Sequence, residues 1–152
     1  MEEAETIREM MESMRRFRKL NHSAMHMYLH VSQGEFFVLG LLYSFRNKGH
    51  AASVSSMADQ LEMSMPAVSR ILRSLEEKDY IIRSTDRADR RNTFVEMTSR
   101  GEKEFAQAFR QVHDYWEGVM KRLGYADTAA FLYLMNRLLE AMQKQLETCE
   151  QM

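Results

Sequence analysis

Six large apolar residues, Phe105, Phe109, Val112, Trp116, Val119 and Leu123, follow one another at intervals of 4, 3, 4, 3 and 4. That alternation is the seam of a coiled coil, which demands a long helix with one continuous apolar edge. A helix over residues 98–122 extends roughly 37 Å at about 1.5 Å per residue, longer than a compact core of this size covers. A second chain is therefore expected along it. Gly124 interrupts the pattern, Asp127 or Thr128 can start another helix, and Phe131, Met135, Leu138 and Met142 resume the seam spacing. At the other end Ile7, Met10, Met14 and Phe17 recur at helical spacing, with Arg15, Arg16, Arg18 and Lys19 on the remaining faces. Residues 1–30 and 101–152 thus read as a helical dimerisation region, with residues 33–100 as the folding unit between them.

Within that unit, a polar, histidine-containing connection leads to Ser32, which stands three residues before Glu35 in the form of a capping box. The run Phe36 to Phe45 behind it is apolar almost all round, so this helix is expected at the centre of the core. Gly49 ends it, and Ser53 can cap a short helix whose Met57, Ala58 and Leu61 face inward. Ser64 is the next N-cap, with Pro66 in the first turn and Val68, Ile71, Leu72 and Leu75 on one face. At about 100° per residue the opposite face carries Pro66, Ser69, Arg70 and Arg73, a surface suited to an anionic partner. Two strand-like runs, Tyr80 to Thr85 and Asn92 to Met97, flank the polar loop Asp86–Arg91 and read as a hairpin with a basic tip.

Charge supports that placement. The net charge of −1 conceals an excess of basic over acidic residues confined to positions 64–100, while both flanks are acidic. One proline and six glycines fit a mostly helical chain with short loops. No apolar run reaches the roughly 18 residues of a membrane span, and the acidic start Met1-Glu2-Glu3 is unlike a secretory signal, so a cytoplasmic protein is expected. Cys149 is the sole cysteine, which excludes an intrachain disulfide. No nucleophile motif, phosphate-binding glycine loop or metal-hydrolase spacing is present, so no enzymatic activity is expected.

Helix, short helix, polar-faced helix and hairpin, in that order, make a winged helix-turn-helix: mostly α, with a small two- to three-stranded antiparallel wing and an α-helical dimerisation region. In such a motif the second helix enters the major groove, which makes Ser64, Pro66, Ala67, Ser69, Arg70 and Arg73 the candidate DNA contacts. Arg87, Arg90 and Arg91 at the hairpin tip suit a narrow minor groove, with Asp89 as an orienting partner. Residues 53–101 resemble the multiple-antibiotic-resistance regulator (MarR) family. Ser64, Pro66, Val68, Ser69, Leu72, Leu75, Glu76 and Lys78 match its recognition helix. Ile81, Arg83, Asp86, Asp89, Arg90, Arg91, Val95, Thr98 and Gly101 resemble its wing and the start of its long helix, and Val54, Met57, Ala58 and Leu61 extend the likeness upstream. Two positions depart from it: Glu62 and Asp79 stand where the family often has glycine.

The resemblance implies a single MarR-like chain over residues 1–152 that forms a homodimer, reads a pseudo-palindromic operator in double-stranded DNA and represses transcription. It also implies release by a small aromatic or phenolic effector, with no cofactor required; Phe36, Phe37, Tyr43, Tyr115, Trp116 and the fourteen methionines are available to line such a pocket. The family's peroxide-sensing mode needs a cysteine near the N-terminal helix, which this chain lacks. Two other readings stay open at this point. One is a winged-helix scaffold that binds protein. The other is a metal-responsive regulator using His22, His26 and His30, spaced by four, with His113 as a further ligand.

Overall fold

The computed structural model describes residues 2–85 and 93–150. Six helices and three strands follow in the order α1 (Glu2–Tyr28), α2 (Gln33–Asn47), β1 (Ala52–Ser53), α3 (Val54–Gln60), α4 (Met65–Glu77), β2 (Ile81–Thr85), β3 (Thr93–Met97), α5 (Ser99–Leu123) and α6 (Tyr125–Glu150). They divide into two compact units, Met1–Val112 and His113–Met152.

In the first unit, α2, α3 and α4 enclose the main core. Val38, Leu39, Leu42 and Phe45 of α2 meet Met57 and Ala58 of α3 and Val68, Leu72 and Leu75 of α4, with Ile81, Val95 and Phe105 closing the cluster. The sheet has the order β1-β3-β2 and is antiparallel throughout; Val95 lies opposite both Ala52 and Arg83. A smaller cluster joins Met25, Leu29 and Val31 to Ala108 of α5.

The polar stretch after Phe17 is not a connection, because α1 runs unbroken to Tyr28 and carries His22 and His26 on it. Ala24 and Met25 are buried in these last turns, whereas residues 3–20 are exposed. Nor is α2 buried all round: Phe37 and Tyr43 stay about half exposed. The last helix begins at Tyr125, ahead of the expected Asp127 or Thr128. Gly124, at φ +90°, turns the chain in a single residue, its amide bonded to Met120 and its carbonyl to Thr128.

Three helices of the first unit end in the same hydrogen-bond pattern, in which the second amide past the cap reaches back to the last full turn. His50 bonds to Phe45, Met63 to Ala58 and Tyr80 to Leu75. The motif places the intervening residue in the left-handed region. Gly49 (φ 67°) occupies it after α2, but Glu62 (φ 50°) and Asp79 (φ 58°) occupy it on either side of α4. Both departures from the family's glycine therefore accept a left-handed backbone, at a cost of roughly 1–2 kcal/mol for a residue bearing a Cβ.

Candidate nucleic-acid interface

Helix α4 starts where Ser64 leaves the extended region (φ −67°, ψ 146°) and its hydroxyl accepts the Ala67 amide at 3.4 Å. Pro66 sits in the first turn, where its missing amide hydrogen has no helical acceptor to lose. Val68, Leu72 and Leu75 are completely buried. Because these three anchor one face, the others follow by geometry: Ser64, Pro66, Ser69, Arg70 and Arg73 are exposed together, and Ala67 is half-buried at their edge. The structure thus brings the six candidate contacts of this helix onto one surface.

Neither Arg70 nor Arg73 pairs with a carboxylate among the described residues. The neighbouring cations are engaged: Arg83 donates from Nε to Glu76 at 2.9 Å, Arg46 pairs with Glu102, and Arg100 stands 3.6 Å from Asp79. The Arg83 hydrogen bond holds the Glu76 carboxyl below its usual range, so this acid of α4 is kept ionised and partnered. Two guanidinium groups with no carboxylate partner among the described residues can donate to phosphate oxygens or to the acceptor pair of a guanine.

At its far end α4 is latched to α5. Thr98 donates its hydroxyl to the Asp79 carbonyl at 2.7 Å and its amide to that of Tyr80 at 3.0 Å, and the same hydroxyl accepts the Gly101 amide at 3.0 Å as a helix cap. Arg100 lies over the Tyr80 ring, 5.6 Å from its centroid, and the Tyr80 hydroxyl donates to Glu104 at 3.2 Å. Burial, reinforced by the Glu104 charge, raises the Tyr80 phenol above its ordinary value, so it remains a donor.

The same end of α4 is held by a group the sequence reading did not foresee in this role. Glu35 caps α2 as expected, its backbone amide donating to Ser32 Oγ at 3.2 Å. It is also 3% exposed and accepts hydrogen bonds from Ser74 and Lys78 of the α4 segment, each at 2.7 Å. Burial raises its carboxyl; the bonds from Lys78, the Ser32 amide and Ser74, together with the Lys78 charge, outweigh that and lower it. The capping-box spacing announced Glu35, but nothing in it announced partners about forty residues away.

The wing is described only at its stem, β2 and β3. Arg87, Asp89, Arg90 and Arg91 lie outside the described residues. Of the seam residues, Phe105 is a correction: it is buried in the winged-helix core against Phe36 and Tyr43, ring centroids 5.7 and 5.4 Å away. Val112 packs on the small cluster of Met25, Leu29, Val31 and Ala108. Ile7, Met10, Met14, Phe17, Phe109, Leu123, Phe131 and Met142 are exposed, while Trp116, Val119, Met135 and Leu138 are intermediate.

The histidines lie close in the chain without forming a ligand set. His22, His26 and His30 border one shallow pocket with Met25, Leu29 and Val31, but α1 ends before His30 and their nitrogens do not converge as ligands. Among the described residues the set with converging ligand atoms is His113, Asp114 and Glu117, all exposed, and Glu117 is taken up by Lys121 at 2.8 Å. Behind the sheet, a cleft of about 600 Å³ is lined by Phe45, Arg46, His50, Phe94, Met97 and Glu102, among others.

The sequence of residues 31–93 matches the model of the MarR family. No curated protein matches the chain. Among solved structures it is similar to a mutant MarR from E. coli complexed with operator DNA, at 20% identity and a TM-score of 0.70, over 84% of this chain and 91% of that one. The S. aureus MepR–DNA complex is similar at 23% identity and a TM-score of 0.67, over 82% and 94%. BpsR of Bordetella bronchiseptica, whose DNA binding is regulated by 6-hydroxynicotinic acid, is similar at 19% identity and a TM-score of 0.70, over 86% and 98%. Residues 31–93 thus match the MarR family model, and the chain has the winged-helix fold of these solved structures.

Proposed function

We propose that this protein is a homodimeric transcriptional regulator that binds a pseudo-palindromic site in double-stranded DNA, represses from it, and is released by a small aromatic or phenolic effector. The observation that carries the reading is the exposed face of α4, where Ser64, Pro66, Ser69, Arg70 and Arg73 stand together and the two guanidinium groups have no described carboxylate partner. Such a rod fits a major groove, and a dimer sets two of them roughly 34–36 Å apart, one turn of duplex. Similar folds solved with operator DNA support the partner, and the exposed apolar edges of α1 and α6 support the second copy. The structure of PcaV with its natural ligand, the 6-hydroxynicotinic acid of BpsR, and the cleft beside Arg46 and Phe94 support an effector. The protein works by binding, without catalysis, in the cytoplasm where the DNA is; no described helix is long and apolar enough to cross a membrane.

Selection of bound fragments from random duplex DNA, followed by titration at rising salt, tests this. A protein making 6–10 phosphate contacts loses about 10³–10⁵ in affinity between 50 and 200 mM salt. Binding that ignores salt, and that survives both Arg70→Ala with Arg73→Ala and Arg90→Ala with Arg91→Ala, overturns the reading in favour of a protein-binding scaffold.

A further inference from the structure

We propose that Glu35 is a positioning residue for DNA recognition: by holding Ser74 and Lys78 against the first turn of α2, it sets the angle at which α4 offers Arg70 and Arg73 to base edges. The inference rests on the DNA-binding reading above and assigns a determinant of discrimination that does not itself touch DNA.

Each carboxylate oxygen is doubly used. Oε1 accepts from Ser74 Oγ at 2.7 Å and Lys78 Nζ at 2.7 Å; Oε2 accepts from the Ser32 amide at 2.7 Å and the same ammonium at 2.9 Å. A capping box needs only one of these bonds, and an uncharged glutamine makes it equally well. A buried carboxylate costs several kcal/mol in lost hydration unless it is paired. The charge at position 35 is therefore explained by α4 and left unexplained by α2.

The contact surface on α4 is specific. Ile71, Ser74 and Lys78 follow at helical spacing and form a third face, between the core face of Val68, Leu72 and Leu75 and the exposed face of Arg70 and Arg73. Gly34 lets the two helices meet there, since a β-carbon on it would stand 3.0 Å from Ile71 Cδ1. A helix held on its core face alone can still roll about its axis by a few degrees. Held on a second face by hydrogen bonds across the packing, it cannot roll without breaking them. Base-edge hydrogen bonds from arginine weaken steeply with misalignment, whereas attraction to a phosphate depends mainly on distance. Loosening the Glu35 contact should thus reduce discrimination far more than it reduces attraction to DNA in general. The docked turn directly follows Val31, which is buried with Met25, Leu29 and Ala108, so the reading helix is referred through it to α1 and α5.

The test compares the full-length wild type with Glu35→Gln, which keeps an acceptor for the cap and removes the charge, and with Lys78→Arg, which keeps the charge. Each is titrated with the duplex selected by the wild type and with a scrambled duplex. Glu35→Gln is expected to lower the ratio of the two affinities about tenfold or more, while binding of the scrambled duplex at low salt stays within about twofold; Lys78→Arg is expected to retain most of the ratio. If Glu35→Gln does not fold, Ser74→Ala, which removes one neutral donor, goes through the same comparison with an expected loss of about threefold. A variant that keeps the ratio, or loses both affinities in parallel as its folded fraction falls, overturns the inference. Failure of the wild type itself to bind duplex DNA overturns the underlying reading, and the inference with it.

Discussion

Gly101 touches Tyr80 so closely that a β-carbon on the glycine would stand 2.9 Å from the tyrosine's carbonyl carbon and closer still to its oxygen. Real side chains do not approach backbone that way, and neither partner can step aside. Tyr80 is held by its bond to Leu75, and Gly101 is held in the first turn of α5 by Thr98. Gly101→Ala is expected to cost about 3 kcal/mol or more, an extreme of overpacking, because backbone must move. Urea unfolding measures it; a loss below about 1 kcal/mol would show that the α4–α5 latch yields easily.

Glu62 and Asp79 carry left-handed strain that glycine would not. Glu62→Gly removes roughly 1–2 kcal/mol of strain and gives back part of it as unfolded-chain entropy, so a net gain of up to about 1 kcal/mol is expected. Thermal melting should rise by about 2–4 °C. A fall in melting temperature would mean that the Glu62 side chain contributes something its exposed position does not reveal.

The Glu35 carboxyl is lowered from an ordinary value of 4.5. A group depressed in the folded state contributes stability that is present above its unfolded value and lost as pH falls through its folded value. Wild type should therefore exceed Glu35→Gln in stability at pH 7, with the gap closing as pH falls below about 4.5. Glu76 and Glu117, also lowered by partners, are present in both proteins and cancel in the comparison. A gap independent of pH would show that Lys78 gains nothing from the ionised form.

On α1, Ile7, Met11, Phe17 and Leu20 are each more than half exposed, and on α6 so are Tyr133, Leu134, Leu139 and Leu146. Apolar surface of that extent is rare on a protein that works alone. Sedimentation should give twice the chain mass. Phe17→Glu and Phe131→Glu should each weaken self-association by about 2 kcal/mol or more and lower DNA affinity with it. A wild-type monomer at micromolar concentration would remove the second copy from the proposed function.

The helix caps and the exposed face of α4 were legible in the sequence because they depend on neighbours within one or two turns. Ser32, Ser53 and Ser64 announced three helix starts, and the burial of Val68, Leu72 and Leu75 follows from spacing alone. Phe105 misled because seam spacing registers which face is apolar and not which partner covers it. Part of a helix edge can pack within its own unit, as Phe105 does, while other seam residues such as Phe109 stay exposed. The continuation of α1 through His22 and His26 was hidden for a related reason: polar residues there sit beside Ala24 and Met25, whose burial comes from elements far along the chain. Glu35 was legible as a cap and illegible as an anchor, since Lys78 lies 43 residues away and only the packed fold brings the two together.

Helix α4 is bracketed by two residues in the same unusual backbone conformation, one two residues before its N-cap and one directly after its C-cap. Neither boundary can slide by a residue without moving a side chain out of a geometry that only the surrounding bonds sustain. The rod is consequently of fixed length, and it has no easy way to fray or to wind on another turn. Under the proposed function, a change in DNA affinity carries α4 as a whole, by tilting or translating its frame.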